Sequence, residues 1–326
     1  MTKQNGQVNL ARRFYLHTPA DANQAYVHWA EKLATEPGIS YGCVMDDYII
    51  PLHPGDLMAV VARPGHGKSS WMAYMAKREA AEIIKRKTLD TEAVVYVSWE
   101  QPIEEIEAFF QSGDDYNSSD MAWGRVPLDI IKRKAIKRAG LPIWTIGHSL
   151  RHANFKKPTL TVDIVYEAIE SMYHEFGIRP TLVCLDYLQI VKTDKGGDRL
   201  VQVTEATYAA KELAMKVGAP IIAGVQAGRK VDDYKKPVPT MSDAQWSSAI
   251  EQTADKQISL WRPSKTHSKE DYPTVEVGGV DYYNDEDLLV IKLLKQRFER
   301  GFGVWAVRFQ PHTLQIWDYE THDIQF

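Results

Sequence analysis

The chain of 326 residues carries a formal net charge of −4, and 44% of its residues are hydrophobic. These values suit one large or two small folded domains, exclude disorder as the default, and exclude a surface that is basic throughout and coats nucleic acid. With only two cysteines, no signal-peptide core and no apolar run long enough to span a membrane, the chain is expected to be cytoplasmic, without a membrane partner.

The N-terminal part of the chain is predicted to be separate from the rest. Residues 20–35 carry apolar side chains at helical spacing, which predicts a short helix, and Pro37 with its neighbouring glycine ends it. Residues 1–40 are therefore assigned to an arm with a linker helix, and residues 41–326 to one larger domain.

Apolar runs and amphipathic stretches then alternate along the chain. Strands are predicted at 57–62, 93–99, 142–147, 182–191 and 219–226, and helices at 69–87, 102–111, 163–176 and 201–217. Further strands are predicted at 256–261, 287–298, 304–309 and 313–317, with tight turns such as 299–303. This order predicts an α/β fold with a mainly parallel sheet, helices on both faces and antiparallel C-terminal strands.

The segment ARPGHGKSS at 62–70 is predicted to bind the phosphates of ATP. It joins a buried strand to a helix, so backbone N–H groups and the helix N-terminus would face the anion together. Lys68 is expected to reach the β- and γ-phosphates, and the Ser69 hydroxyl to ligate Mg²⁺. The usual pattern opens with glycine, whereas this one opens with Ala62. His66 is predicted to be a solvent-facing loop residue and not a catalyst. The predicted nucleotide-binding residues are Ala62, Arg63, Pro64, Gly65, His66, Gly67, Lys68, Ser69 and Ser70.

Three polar residues stand at the ends of three predicted strands beside this loop. Asp186 follows four apolar residues, and a buried aspartate without a role is costly, so it is predicted to support Mg²⁺. Glu100 is the candidate general base, although an exposed strand-end glutamate is the simpler explanation when it is taken alone. Gln226 is a candidate sensor of the γ-phosphate, with a strand-end capping residue as the alternative. Ligands bind at the carboxyl edge of open α/β sheets, so the three together predict ATP hydrolysis.

Six segments, in order, resemble the C-terminal, RecA-like motor domain of DnaB-type replicative helicases. They are GDLMAVVARPGHGKSS at 55–70, VSWEQP at 97–102, VCLDYLQIV at 183–191, PIIAGVQAGR at 220–229, SDAQWSSAIEQTADKQISLWR at 242–262 and IKLLKQRFERGFG at 291–303. The resemblance spans roughly residues 40–320, and an alanine opening the P-loop is usual in that family. It implies a RecA-like P-loop NTPase core that uses ATP and Mg²⁺.

The resemblance also implies a role for each matching position. Lys68 and Ser69 match the phosphate and magnesium contacts, Glu100 the catalytic glutamate, Asp186 the second carboxylate and Gln226 the sensor. Lys295 and Arg297 match the basic pair that reaches into the nucleotide of a neighbouring subunit. Without the resemblance, the two cations would be explained as a charged edge strand. The family is hexameric, each subunit lays a linker helix on its neighbour, and a loader or primase is a possible partner.

The resemblance implies single-stranded DNA as a partner, held by loops in a central channel. Basic side chains in the first of these loops, KTDKGGDR at 192–199, suit backbone phosphates. The second loop, at 242–249, lacks the basic residue that is usual in the family, and its tryptophan would either stack on a base or pack at a subunit contact. The predicted DNA contacts are Lys192, Lys195, Arg199, Arg229 and Trp246, with a solvated loop as the alternative for Arg229.

The family usually carries a sizeable N-terminal domain, whereas only about forty residues precede the motor segments here. Phage or mobile-element DNA replication, in a bacterial or phage-infected cell, is therefore expected over a standard cellular helicase. The first functional hypothesis is a ring-forming, ATP-driven motor on single-stranded DNA with helicase activity. The alternative is an ATP-switched assembly or recruitment module on DNA or a partner protein that does not unwind. RecA-like strand exchange fits the EQTAD and KQR segments less well.

Overall fold

The structure, a computed structural model, describes residues 15–192, 198–244, 248–298, 303–319 and 324–325. Its contacts divide the chain into two compact units, Met1–Ile39 and Ser40–Phe326. In the first unit, helix α1 (Pro19–Thr35) begins with a capping box between Thr18 and Asp21. None of the residues of α1 is buried. The predicted helix is confirmed, and its role as a linker stays a prediction.

The second unit is built on strands that follow the apolar runs of the sequence. They are β1 (Leu57–Ala62), β2 (Glu92–Ser98), β3 (Ile143–Gly147), β4 (Arg179–Asp186), β5 (Ile221–Gln226), β6 (Lys256–Trp261), β7 (Thr274–Val277), β8 (Val280–Tyr283), β9 (Leu288–Gln296), β10 (Gly303–Gln310), β11 (Gln315–Asp318) and β12 (Ile324–Gln325). The helices are α2 (Lys68–Arg86), α3 (Ile103–Phe110), α4 (Ser118–Ala122), α5 (Leu128–Ala139), α6 (Val162–Phe176), α7 (Arg199–Val217) and α8 (Ser248–Thr253).

Nine strands form one sheet in the order β11-β10-β9-β6-β1-β5-β4-β2-β3. The strands from β6 to β3 in this order pair in parallel, whereas β6-β9, β9-β10 and β10-β11 pair antiparallel. The predicted fold class, a mainly parallel sheet with antiparallel C-terminal strands, is confirmed. A hairpin of β7 and β8 joins β12 in a second, three-stranded sheet, which the sequence patterns did not predict.

Successive residues of the central strands pack on opposite faces of the sheet. In β4, Val183 and Leu185 belong to a core cluster with residues of α6 and α7. The residue between them, Cys184, contacts the Met72 carbonyl of α2 through its thiol at 3.7 Å. Every residue of β1 is buried, as expected for a strand covered on both faces. Helices therefore lie on both faces of the sheet, and no helix within the described ranges is both long and apolar enough to cross a lipid bilayer.

One strand prediction was wrong at its end. The apolar run 182–191 was predicted to be extended throughout, but β4 ends at Asp186 and Leu188–Ile190 form a 3-10 turn. The chain turns there because the side chain of Gln189 bonds to the backbone of β5, which a continuing strand could not do. Most of the predicted turn at 299–303 lies outside the described residues.

Candidate nucleotide-binding site

A cavity of about 290 Å³ lies at the carboxyl ends of β1 and β5. It is lined by Ala62, Arg63, Pro64, Gly65, Gly67, Lys68, Ser69, Ser70, Glu100, Tyr187, Gln226 and Arg262. The structure thus brings the predicted loop together with the candidate base and the candidate sensor, and of the predicted loop only His66 is absent from the lining. Tyr187 and Arg262 were not predicted to belong to this site.

The path of the loop depends on its glycines. Gly65 and Gly67 adopt φ values of +80° and +89°, which side-chain-bearing residues rarely take. A Cβ atom on Gly67 would also come within 2.9 Å of the Phe309 ring. Gly67 caps the N-terminus of α2, so the free N–H groups of that helix stand beside the cavity. The arrangement suits a bound phosphate, because those N–H groups and the helix dipole favour negative charge.

Lys68 and Asp186 form the charged centre of the site. The Lys68 Nζ lies 3.9 Å from Asp186 Oδ1 and 3.8 Å from the centroid of the Tyr187 ring. Burial lowers the pKa of Lys68, and the nearby carboxylates of Asp186 and Glu100 partly oppose that shift. A bound polyphosphate would favour the charged lysine further, because it adds negative charge where the ammonium is partly desolvated.

The residues present fit a magnesium-bound nucleotide. Asp186 is buried, and its Oδ2 accepts a hydrogen bond of 3.0 Å from the Tyr96 hydroxyl. Its Oδ1 has no hydrogen-bond partner within the described residues, so one carboxylate oxygen is left for a cation or its water. Asp186 itself is not part of the cavity lining, whereas Ser69 is and supplies a hydroxyl there. The described chain holds no cluster of three metal-ligating side chains, but Mg²⁺ needs only one or two carboxylates beside phosphates and water.

Glu100 and Gln226 are positioned by the ends of two strands. Glu100 is exposed, two residues beyond β2, where the Trp99 N–H donates to the Asp186 carbonyl at 3.0 Å. Gln226 ends β5, and the side-chain amide of Gln189 bonds to both its N–H and its C=O, at 3.0 and 3.1 Å. Gln189 is only 2% exposed. One signal in the sequence points to this positioning residue, a polar side chain inside an apolar run.

The prediction for His66 was wrong. The side chain is 5% exposed, and its Nδ1 accepts a hydrogen bond of 3.0 Å from the Arg262 backbone N–H. Burial, with the nearby guanidinium groups of Arg262 and Arg63, lowers the pKa of His66 to about 4. The neutral ring therefore joins the phosphate-binding loop to the end of β6, and protonation of Nδ1 would break that link.

Acid is expected to weaken this link. The pKa of His66 in the folded chain, about 4, lies below that of an unfolded histidine, about 6.5, so its stabilisation is complete above pH 6.5 and is lost as the pH falls towards 4. Between pH 7 and pH 5, wild type should lose about 2 kcal/mol more unfolding free energy than His66→Asn, whose amide oxygen accepts a bond without titrating. Urea unfolding at both pH values measures this. Equal losses in the two proteins would contradict the assignment.

Lys295 and Arg297 do not lie in the cavity of their own chain. Lys295 pairs in register with Gln257 near the start of β6, and the Arg297 N–H donates to the Asp255 carbonyl. Asp255 lies beside the first residue of β1, and β1 and β6 run in parallel from there towards the cavity. The distance along the strands from Arg297 to Ala62, at the cavity, is therefore roughly 17 Å. The two cations thus lie towards the opposite edge of the sheet.

The two cations have different local partners. The Lys295 ammonium donates to the carbonyls of Glu251 and Gln252 at the end of α8, at 2.5 and 3.3 Å. Arg297 is about half exposed and lies 3.2 Å from the Asp255 carboxylate, which is also 2.6 Å from Lys211. Lys295 therefore has a local capping role, and Arg297 presents a guanidinium to the outside of this edge.

The described DNA-contact candidates lie beyond the carboxyl ends of two neighbouring strands. Lys192 is exposed after the turn that follows β4, and Arg199 opens α7. Arg229 is exposed and opens a 3-10 turn after β5. β4 and β5 pair directly, so these cations belong to one edge of the sheet. Lys195 and Trp246 lie outside the described residues, and the two explanations for Trp246 stay open.

Known protein sequences resemble this chain over most of its length. The sequence profile of the DnaB-like helicase C-terminal domain matches residues 38–316. A replicative DNA helicase DnaB of Mycoplasma genitalium is 27% identical over 72% of this chain and 48% of its own length. A probable replicative DNA helicase of Trieres chinensis is 23% identical over 88% of this chain and 58% of its own. The chain thus spans about half the length of the curated relatives that it matches.

Solved structures share the fold. A structure described as an ATPase domain matches with a TM-score of 0.70 at 18% identity, over 91% of this chain and 98% of that one. A DnaB-like replicative helicase, described with its interactions with primase, matches with a TM-score of 0.68 at 18% identity, over 91% of this chain and 67% of that one. At this identity the likeness establishes the fold alone.

Proposed function

This chain belongs to the DnaB-like helicase C-terminal domain family, and from that premise we propose that it is an ATP-hydrolysing motor that forms a ring on single-stranded DNA and unwinds duplex DNA. One observation carries the proposal. The phosphate loop, Glu100 and Gln226 line one cavity and Asp186 lies beside Lys68, while Arg297 lies towards the opposite end of the same strands. An active site that uses this arginine therefore needs a second copy of the chain.

Within the cavity, the chain's own residues would position ATP for attack by water. Lys68 and the N–H groups at the start of α2 hold the phosphates, and Ser69 with Asp186 would hold magnesium. The metal, when bound, neutralises charge on the phosphate oxygens. Glu100 would accept the proton of the attacking water, and Gln226 would contact the γ-phosphate. Gln189 keeps the Gln226 backbone in place.

Assembly would complete the site. A head-to-tail contact that repeats around a closed ring places the same edge of every subunit against the cavity of the next. Arg297 of one subunit would then stabilise charge on the phosphoryl group that is transferred in its neighbour. A hexamer, a loader or primase as partner, a phage or mobile-element context and a cytoplasmic location all stay predictions.

DNA would bind where the basic residues beyond β4 and β5 cluster. Lys192 and Arg229 are exposed there, and backbone phosphates are the natural partners of such cations. Because this edge also carries Gln226 and Asp186, bound DNA and bound nucleotide would act on adjoining loops. That proximity supports coupling between hydrolysis and movement on DNA.

Single-stranded DNA is expected to stimulate ATP turnover by the wild-type protein and to be needed for strand displacement. Lys192→Ala combined with Arg229→Ala should weaken DNA binding. The slope of the logarithm of the binding constant against the logarithm of the salt concentration should become shallower by about 2, because each phosphate contact releases about one counterion from the DNA. Lys85→Ala is the matched control, since Lys85 is exposed on α2 and outside the DNA-contact candidates. ATP turnover, DNA binding at several salt concentrations and strand displacement measure these effects. DNA-independent turnover without unwinding would contradict the motor and favour the ATP-switched module.

A further inference from the structure

A second cavity, of about 510 Å³, lies where α2, α3 and α5 meet. Its lining is strongly basic, with the side chains of Lys77, Arg133, Lys134, Lys137 and Arg138. Asp115 is the one acidic side chain in that lining among the described residues. Phe110 and Ile130 give the cavity an apolar wall. None of these residues lines the ATP cavity.

The basic residues of α5 share one face of that helix. Arg133, Lys134, Lys137 and Arg138 follow the spacing that aligns side chains along a helix. A charged stripe of this kind is usually a solvated surface, but here Arg138 is only 8% exposed and Lys77 faces it from α2, partly buried. Lys77, Lys134 and Arg138 therefore surround a concave space, whereas Arg133 and Lys137, which also line it, are exposed to solvent.

Not all of this positive charge is neutralised within the chain. Lys134 lies 2.5 Å from Asp115, Arg138 lies 2.8 Å from Glu107, and Arg133 lies 3.3 Å from Asp129. In the part of the chain that the structure describes, Lys77 and Lys137 form no ion pair. Burial and the charges of Arg138, Lys137 and Lys134 lower the pKa of Lys77 to about 8. The charged form of Lys77 is therefore unfavourable in this position unless an anion lies nearby.

Two buried polar atoms of the lining residues also have no hydrogen-bond partner. They are Nε of Arg138 and Oγ of Ser112, and no described residue satisfies either. Both atoms are shielded from solvent, so a ligand in the cavity would reach them only if the covering side chains moved, and the donors that it would meet directly are the ammonium groups of Lys77 and Lys137. An oxyanion would accept charge-assisted hydrogen bonds from those ammonium groups.

We propose that this cavity binds a small phosphorylated molecule with at least two negative charges, held by Lys77 and Lys137 next to the positive charge of Arg138. The volume is within the range of small-molecule sites, and the apolar wall offers contact to an uncharged part of the ligand. Two unpaired ammonium groups favour a diphosphate over a singly charged anion. The phosphates of nucleic acid share this chemistry, but a concave cavity with an apolar wall favours a small ligand.

Titration calorimetry with inorganic pyrophosphate tests the proposal in the full chain. The Lys68→Ala background removes the phosphate contact of the ATP loop, so failure here and failure of the ATPase proposal are distinguishable. Pyrophosphate should bind the Lys68→Ala protein at one site. Adding Lys77→Met and Lys137→Met should weaken that binding by more than about tenfold, because each removes an ammonium that faces the ligand.

Lys132→Met is the matched control, since Lys132 is exposed on α5 and does not line the cavity. It should leave the affinity for pyrophosphate unchanged. Methionine keeps the length of the lysine side chain, and the melting temperature without ligand should not fall in Lys77→Met, because a charge among like charges is removed. A lower melting temperature would contradict the charge surplus on which the proposal depends.

Either of two pyrophosphate results would overturn the proposal: no binding in the Lys68→Ala background, or binding that persists unchanged without Lys77 and Lys137. A short oligothymidylate in the same background then shows what the cavity binds instead. If the two lysines contribute to oligonucleotide binding and pyrophosphate does not bind, the cavity contacts a nucleic-acid backbone and not a small phosphorylated ligand.

Discussion

Arg297→Ala is expected to lower ATP turnover by about 10³-fold or more, the range that an arginine supplied by a neighbouring subunit contributes to phosphoryl transfer. Nucleotide binding should be nearly unchanged, because Arg297 lies at the edge of the sheet opposite the cavity of its own chain. The loss should therefore appear in turnover and not in affinity for ATP. Steady-state hydrolysis and equilibrium nucleotide binding, measured on the same assembled protein, separate the two.

Mixing two inactive variants tests whether the arginine acts between subunits. Lys68→Ala removes the phosphate lysine but keeps Arg297, and Arg297→Ala does the reverse. In a randomly mixed ring with equal amounts of each, about a quarter of the contacts join an intact lysine to an intact arginine, so activity should return. A mixture that stays inactive despite subunit exchange would contradict an arginine supplied in trans.

A conservative variant controls for local damage. Arg297 lies 3.2 Å from Asp255, and its removal leaves that carboxylate with Lys211. Arg297→Lys keeps a positive charge near Asp255 but lacks the forked guanidinium, so its melting temperature should match wild type while turnover stays low. Full turnover in Arg297→Ala would contradict the proposed ring, because the need for a second copy of the chain depends on this arginine.

Glu100→Gln is expected to reduce hydrolysis by about 10²- to 10⁴-fold, the usual contribution of a general base, because an amide cannot accept the proton of the attacking water. The variant should still bind ATP, since Lys68, Ser69 and the loop are unchanged. Its side chain is close in size and exposed, so folding should not be affected. Single-turnover hydrolysis of pre-bound ATP measures the chemical step directly.

Glu105→Gln is the matched control for that change. Glu105 is also exposed, stands a short way further along the chain in α3, and does not line the ATP cavity. Its replacement should leave turnover within a factor of about two of wild type, as for most surface changes. Normal hydrolysis in Glu100→Gln would show that another group activates the water.

Local pattern was enough for most of the elements. The apolar run at 57–62 has the bounds of β1, because a strand buried on both faces needs an uninterrupted series of apolar residues. The glycines at 65 and 67 indicated a tight loop, and both adopt the positive φ values that favour glycine. The polar residues that end successive strands were expected at one edge, and Glu100 and Gln226 do line one cavity. These features depend on neighbours in sequence, which is why the sequence alone predicts them.

Other features depend on contacts between distant parts of the chain. His66 was predicted to face solvent, and nothing near it in sequence indicates that the Arg262 backbone, 196 residues away, donates to it. The end of β4 was misplaced because Gln189 bonds to the backbone of β5, 37 residues on.

The sequence by itself determined the family resemblance, the fold class, the phosphate loop and the residue types of the catalytic centre. Only the tertiary structure decided that Arg297 lies roughly 17 Å along the strands from the ATP cavity of its own chain. It also decided that the cations of α2 and α5 line a second cavity. The physical reason is that periodicity and backbone preference act over a few residues. Burial, pairing and the direction in which a side chain faces are set by segments that meet only when the chain folds.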